Sequence, residues 1–306
     1  MKRILILVAA VLTLAACAPK AKEQKVMARY VPERADDFAF ENNLIAGRFY
    51  GKALEGNPTS PGLDIWVKLP GRLVADEWFA ADQEHPGYYH HDHGGKDCYK
   101  VAVSLGGGAS VPFIGEQLCY PATNYRSYEV LEVTPDKAVF VLHYPEWEAA
   151  EGIKVALDKT VTVTADSYFC QAEDRYTFSG TETLPVVAGI KLHGNAVTAE
   201  DGTIHIEEKG MVRDGLIAIW EKASDQSAEP EDGKIGVSVI MPDAEHALLR
   251  QDLDHALLLK NIKSGETVTY WFGSCWSKAD IKTYGDWYNL TVSVAESHGW
   301  KPENAN

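Results

Sequence analysis

The chain has 306 residues, with 44 acidic against 29 basic side chains and a formal charge of -15. That balance argues against a nucleic-acid partner, whose phosphates attract basic surfaces. It also weighs against an extended polyanion unless a local basic cleft exists.

Met1-Lys2-Arg3 is a short basic start, and Ile4 to Leu14 is an apolar run too short to span a bilayer comfortably. Leu14-Ala15-Ala16-Cys17 then has the form of a bacterial lipoprotein signal, in which Cys17 is lipidated. The alternative is an ordinary secretory peptide cleaved nearby. The expected layout is a signal over 1–16, a tether over 17–28, one β-sandwich domain over 29–300 and a tail over 301–306. The expected place is the cell envelope, with the lipid on Cys17 holding the domain at a membrane. Four cysteines remain: Cys98, Cys119, Cys170 and Cys275. In an oxidising compartment they can form two disulfides, with Cys98–Cys119 the first choice. None has CxxC spacing, which argues against a zinc-thiolate site.

Beyond the tether, roughly 280 residues suffice for one large domain or two small ones, and no linker or internal repeat divides them. Period-two alternation predicts strands at Leu63–Leu69, Asp97–Leu105, Arg126–Val133, Ala138–Tyr144, Ile153–Val163, Tyr168–Phe178 and Pro185–Leu192. It continues at Thr203–Glu207, Leu216–Glu221, Ile235–Met241, Ala256–Lys260 and Thr267–Phe272. The longest polar stretch, Lys222 to Gly233, reads as a hairpin loop. One helix is predicted from about Tyr284 to His298, with Trp287, Leu290 and Val294 as its apolar stripe. A dozen strands and one helix predict a large antiparallel β-sandwich, an all-β fold.

The run Tyr88 to Tyr99 carries three of the ten histidines, His90, His91 and His93, with Asp92, Lys96, Asp97 and the tyrosines Tyr88, Tyr89 and Tyr99. Such side chains bind metals or move protons near neutral pH. If Tyr89–His93 is extended, His91 and His93 share one side while His90 and Asp92 share the other. Either pair can begin a metal site, so a divalent ion, Ca or Zn, is a possible cofactor held by His90, His91 and His93. The eight tryptophans exceed what one core needs. Trp66, Trp78 and Trp147 are therefore candidates for stacking on a sugar ring, Trp78 and Trp147 because their neighbours are charged. His143, beside Val139 and Val141, reads as a core histidine. His193 ends a strand, where a site residue can sit, and Glu173-Asp174-Arg175 reads as a solvated charge run.

Three motifs join the histidine run: Pro32 to Asn43 followed by Ile45-Ala46-Gly47-Arg48-Phe49-Tyr50-Gly51; Gly62-Leu63-Asp64-Ile65-Trp66-Val67-Lys68; and Thr269 to Trp276. Together they resemble the domain of unknown function catalogued as number 4861, over nearly the whole mature chain. The resemblance implies a galactose-mutarotase-like supersandwich and a secreted protein of glycan-degrading bacteria. The family's central motif places glutamate where His91 stands.

Three mechanisms fit these parts. β-Elimination at a uronic acid needs a charge neutraliser, a base and a proton donor. His90 or His93 can be the base, Tyr89 or Tyr99 the donor, and Arg126, Lys96 or a metal the neutraliser. Glycoside hydrolysis would use two carboxylates, for which Asp92 and Asp97 are available. Mutarotation needs one acid and one base. The expectation is an enzyme acting on an oligosaccharide or polysaccharide, first a lyase on pectin-type glycans. The catalytic candidates are Tyr89, His90, Asp92, His93 and Tyr99. The substrate-binding candidates are Glu41, Asn42, Arg48, Trp66, Lys68, Trp78, Lys96, Asp97, Arg126, Tyr128, Trp147 and His193. The alternative outside enzymology is a surface glycan-binding lipoprotein, for which clustered titratable groups would be unnecessary.

Overall fold

The computed structural model describes residues 22–55, 62–193, 196–198, 203–206 and 209–301. The expected signal and lipidation site at Cys17 lie outside the described residues, as does the tail from 302.

The first sheet is built from β1 (Val26–Val31), β2 (Asp37–Asn42), β3 (Ala46–Phe49), β4 (Leu63–Lys68) and β5 (Gly95–Asp97), antiparallel and in that order. Helix α1 (Ala75–Glu84) lies between β4 and β5 in the chain. Then come β6 (Ala109–Ile114), β7 (Gln117–Leu118), β8 (Ser127–Val133), β9 (Lys137–Ala150), β10 (Ile153–Thr164), β11 (Phe169–Ser179) and β12 (Leu184–Lys191). The last part adds β13 (Ala196–Thr198), β14 (Thr203–Ile206), β15 (Lys209–Arg213), β16 (Leu216–Lys222), β17 (Lys234–Ile240), β18 (His246–Arg250), β19 (His255–Ile262), β20 (Thr267–Trp276) and helix α2 (Tyr284–Ser297).

A ten-stranded sheet runs β13-β14-β15-β16-β17-β20-β11-β10-β9-β8, and a second five-stranded sheet runs β18-β19-β12-β6-β7. Inward residues of both small sheets (Phe38, Phe40, Phe49 and Ile65; Val186, Ala188, Ile190 and Leu258) share one apolar core with the large sheet's Phe140, Leu142, Val161, Val237, Val239 and Phe272. The chain is thus the large antiparallel sandwich expected, with α2 buried by Trp287, Thr291 and Ala295 on the other face of the large sheet.

Several expectations are corrected. The tether is shorter than 17–28, because Val26 and Ala28 alternate inward and commit β1 to the core. The strand over Asp97–Leu105 stops at Asp97; Cys98 to Leu105 is irregular and held instead by side contacts to another loop. No disulfide forms among the described cysteines. Cys98 is buried in the core, whereas Cys119 follows the edge strand β7, and Cys170 and Cys275 are also free thiols.

The missed helix α1 explains the misreading of Trp78. Ala75, Trp78 and Phe79 recur at helical spacing, so they face inward together while Asp76 and Glu77 are exposed on other faces, and Asp82, one turn on, accepts the Gly87 and Tyr88 N–H groups. Charged sequence neighbours therefore say nothing about exposure. Trp78 packs with Trp66, Phe79 and Tyr89 between α1 and the first sheet. We expect Trp78→Ala to lower unfolding free energy by about 3–5 kcal/mol, read by chemical denaturation. A variant of wild-type stability would show that α1 does not dock through this residue.

Candidate functional site

Most of the residues singled out in the sequence prove to be structural. Glu41 is buried and accepts the Lys68 ammonium together with the Val74 and Ala75 N–H groups, which lie at the start of α1. Both Glu41 and Lys68 are therefore satisfied inside the fold. The buried Asn42 amide donates to the carbonyls of Thr164 and Ser167, and its Oδ1 accepts from Leu44 and Ile45 N–H groups. Tyr99 donates from a buried hydroxyl to the carbonyls of Gly106 and Lys191. Arg126 pairs with Glu55, and the exposed Tyr128 stacks on Tyr30, both remote from the histidine run in the hydrogen-bond network. Trp66 and Trp147 join Trp78 in the interior. Seven of the eight tryptophans are buried, and the partly exposed Trp271 is covered by His298. The expected sugar-stacking platform is thus absent among the described residues.

His193 is also buried. Its Nδ1 lies 2.9 Å from Glu221 Oε1 and its Nε2 2.7 Å from the Lys100 carbonyl. Burial alone would lower its pKa, but the Glu221 carboxylate and the Lys100 carbonyl outweigh it and raise the value. Both ring nitrogens of His193 are thus engaged inside the fold. His143, expected in the core, faces outward and meets Asp158 at 2.7 Å.

The histidine run itself is not extended. Tyr88–His90 makes one 3₁₀ turn, which abolishes the alternation expected for His90 to His93. Asp92 then closes a tight turn by accepting the Gly94 and Gly95 N–H groups, and it also takes the Lys278 ammonium at 2.7 Å. Gly94 has φ +83°, and a Cβ on Gly95 would lie 2.4 Å from the Val67 carbonyl, so glycine is required at both. Partial burial would raise Asp92, but Lys278 and these N–H groups hold it below the ordinary carboxylate value. It stays ionised near neutral pH and cannot serve there as an acid. His93 stacks flat on Tyr88, with ring centroids 3.8 Å apart. Tyr89 is buried, stacks on Trp66 and accepts a hydrogen bond from Arg34.

His90 is placed differently. Its Nδ1 lies 3.9 Å from Asp97 Oδ2 and 3.9 Å from Asp225 Oδ2. Suitable ligand atoms of these three all fall within 4.8 Å of one another. The trio expected to hold a metal, His90 with His91 and His93, is not the set that converges. Behind Asp97 stands the buried Arg48, donating to Asp64 Oδ2 at 2.7 Å and to Asp97 Oδ2 at 3.1 Å, with Asp37 at 3.5 Å. The Trp66 and Tyr89 rings flank the guanidinium. Burial and then the neighbouring Asp64 charge push Asp97 well above the ordinary value, against the pull of Arg48.

The β16–β17 hairpin loop supplies the other wall. Ser224 exchanges backbone hydrogen bonds with Cys98 and Lys100, Ser227 Oγ donates to the Asp97 carbonyl, and the buried Lys96 pairs with Asp232 while donating to the Ser227 carbonyl. Lys96 is thereby spent on fixing the loop. Between loop and turn opens a cavity of about 360 Å³ lined by His90, His91, Asp92, Lys96, Gln226, Ser227, Glu229, Glu231 and Asp232. Every lining residue is polar, which suits a hydroxyl-rich ligand better than an apolar one. A larger hollow of about 610 Å³ beside Trp300 has only Arg213, Asp214 and Lys301 as charged groups, and no histidine. Sequence reading missed Asp225 and the loop's carboxylates because a polar stretch between two strands looks like solvated surface. Only pairing of β16 with β17 and docking on residues 97–100 brings them to His90.

Fold and site together define a large antiparallel β-sandwich with a polar, imidazole-bearing cavity where a long hairpin loop meets the first sheet. The chain belongs to the family described as domain of unknown function DUF4861, whose profile matches residues 15–297. It is similar, at 28% identity, to the uncharacterized protein P7 of Formosa agariphila over 88% of this chain and 66% of that one. The chain therefore spans just under two thirds of that relative. Among solved structures, a galactose mutarotase related enzyme from Lactobacillus acidophilus aligns at 9% identity with a TM-score of 0.34, over 78% of this chain and 97% of that chain. The galactosidase domain of an α-galactosidase–sucrose kinase aligns at 11% with a TM-score of 0.34, over 82% and 42%. Likenesses of this size carry no argument about the reaction.

Proposed function

We propose that this protein is a carbohydrate-active enzyme of the cell envelope, anchored through Cys17, whose reaction centre is the cavity beside His90. The observation that carries the reading is that His90, which lines a cavity of about 360 Å³ walled by polar residues, also converges with Asp97 and Asp225. Titratable groups of this kind, brought together from distant parts of the chain, are what proton transfer needs and what simple glycan retention does not. The buried tryptophans further disfavour a stacking-based binding module.

The reaction we favour is β-elimination on a uronic-acid-containing oligosaccharide of the pectin type, with an imidazole of this cavity, His90 or His91, as base. The donor tyrosines considered from the sequence, Tyr89 and Tyr99, are buried away from the cavity, so the donor is a carboxyl or a water at its mouth. Hydrolysis is the second reading, favoured by Glu229 and Glu231 on the same wall. Purified protein incubated with pectic and unrelated glycans decides between them. Elimination yields an unsaturated uronate with its own ultraviolet absorbance, whereas hydrolysis yields new reducing ends without it. Inertness toward every uronate glycan would sink the proposal. Release of the protein from the membrane fraction by Cys17→Ser is the expected result for the anchor, and unchanged fractionation would refute it.

A further inference from the structure

We propose that His90, Asp97 and Asp225 hold a divalent transition-metal ion, Zn²⁺ or Mn²⁺, facing the cavity; the inference rests on the reaction centre just described and gives it its charge neutraliser.

The first support is the donor set. One imidazole nitrogen and two carboxylate oxygens converge, each His–Asp pair at 3.9 Å. Ligands on a tetrahedral ion at about 2.0–2.1 Å sit roughly 3.3 Å apart, so each His–Asp pair closes by about 0.6 Å and the two carboxylates, within 4.8 Å of each other, by up to about 1.5 Å. An imidazole among carboxylates favours zinc or manganese over magnesium or calcium, which prefer oxygen alone. His90 and Asp225 are each partly exposed, which leaves the outer coordination positions to water or to a substrate oxygen.

The second support is an unbalanced buried charge. Among the described residues Arg48 is the guanidinium in contact with Asp37, Asp64 and Asp97, with Arg34 acting on Asp37 and Asp97 from further off. Asp64 Oδ1 is buried with no partner in hydrogen-bonding geometry, although the Tyr50 hydroxyl is nearby. Burial raises Asp64 most, and the Asp225 charge adds to it, so Asp64 and Asp225 sense the same region. A divalent cation between Asp97 and Asp225 would offset the negative charge that Asp225 adds to the Asp37, Asp64 and Asp97 cluster.

The third support is function by elimination of alternatives. A uronate carboxylate entering so acidic a cavity needs a cation, and Lys96 is already paired with Asp232 while Arg126 is paired with Glu55. With His90 on the metal, proton transfer passes to His91 and the carboxylates of the mouth.

The test is calorimetric titration of the chelator-stripped full chain with Zn²⁺, Mn²⁺ and Ca²⁺ separately. One equivalent of Zn²⁺ or Mn²⁺ is expected, with affinity reduced by about tenfold or more in Asp225→Asn and unchanged in His91→Ala. Asp225 lies in a loop, so that variant should keep the wild-type circular dichroism and melting profile. Absent binding, binding of Ca²⁺ alone, or equal affinity in Asp225→Asn would each overturn the site. Full glycan turnover by metal-free protein would remove this inference and leave the proposed function standing. Stoichiometric metal on a protein inert to all glycans would do the reverse.

Discussion

Arg48→Ala is expected to destabilise the fold by about 3–5 kcal/mol, the usual cost of leaving a buried charge without its partner. Here three buried carboxylates, Asp37, Asp64 and Asp97, would lose the same guanidinium. The loss must also depend on pH. Burial raises Asp37 from 3.8 to about 6 even while Arg48 pulls it down. A carboxyl whose folded value exceeds its unfolded one binds more protons in the folded state, so its contribution is intact below 3.8 and is lost as pH rises through about 6. Removing Arg48 raises the carboxyls further, so the variant suffers least in acid and most above that window. Urea denaturation at several pH values reads both effects. Equal loss at every pH would mean that packing against Trp66 and Tyr89, not charge, is what Arg48 contributes.

His90→Ala is expected to lower kcat by about 10²–10⁴-fold on whichever glycan the wild type cleaves, with a comparable loss in Asp225→Asn. The reason is that His90 lines the cavity, Asp225 approaches its Nδ1 to 3.9 Å, and neither belongs to the core; their side chains are 24% and 13% exposed. Stability should therefore change little, unlike that of Trp78→Ala. The same assay on His193→Gln should show an effect on stability and none confined to kcat, because both ring nitrogens of His193 are engaged inside the fold. Wild-type kcat in His90→Ala would remove the cavity from consideration as the reaction centre.

Much of the sandwich was legible because alternation survives wherever one face of a strand is buried. β10 and β11 read out almost in full, whereas β9 runs on to Ala150 and β20 to Trp276, well past the predicted ends. The strands β2 and β3 were passed over because both of their faces are buried, one by the core and one by α1, so no polar alternation remains. Alternation also hid a buried charge. Asp174 was read with Glu173 and Arg175 as a solvated run, yet every second residue of β11 points inward, and Asp174 meets Lys159 and Ser110 in the core. The candidate site was half legible. The histidine run supplies His90, and Asp97 of the same run meets it. Asp225 lies far along the chain in a loop with no local signal of its own. The tryptophans misled because sequence shows how many aromatic residues a chain has, not how much core three sheets and two helices enclose.

The central claim is that a glycan sits against His90 and His91. Histidine imidazole C–H resonances, followed by NMR while a uronic-acid oligosaccharide is added, report this directly. We expect the His90 and His91 signals to move together and His143, in a separate hollow on the outer face of the large sheet, to stay in place. Movement of His143 with His90 and His91 unchanged would put the sugar elsewhere and contradict the account.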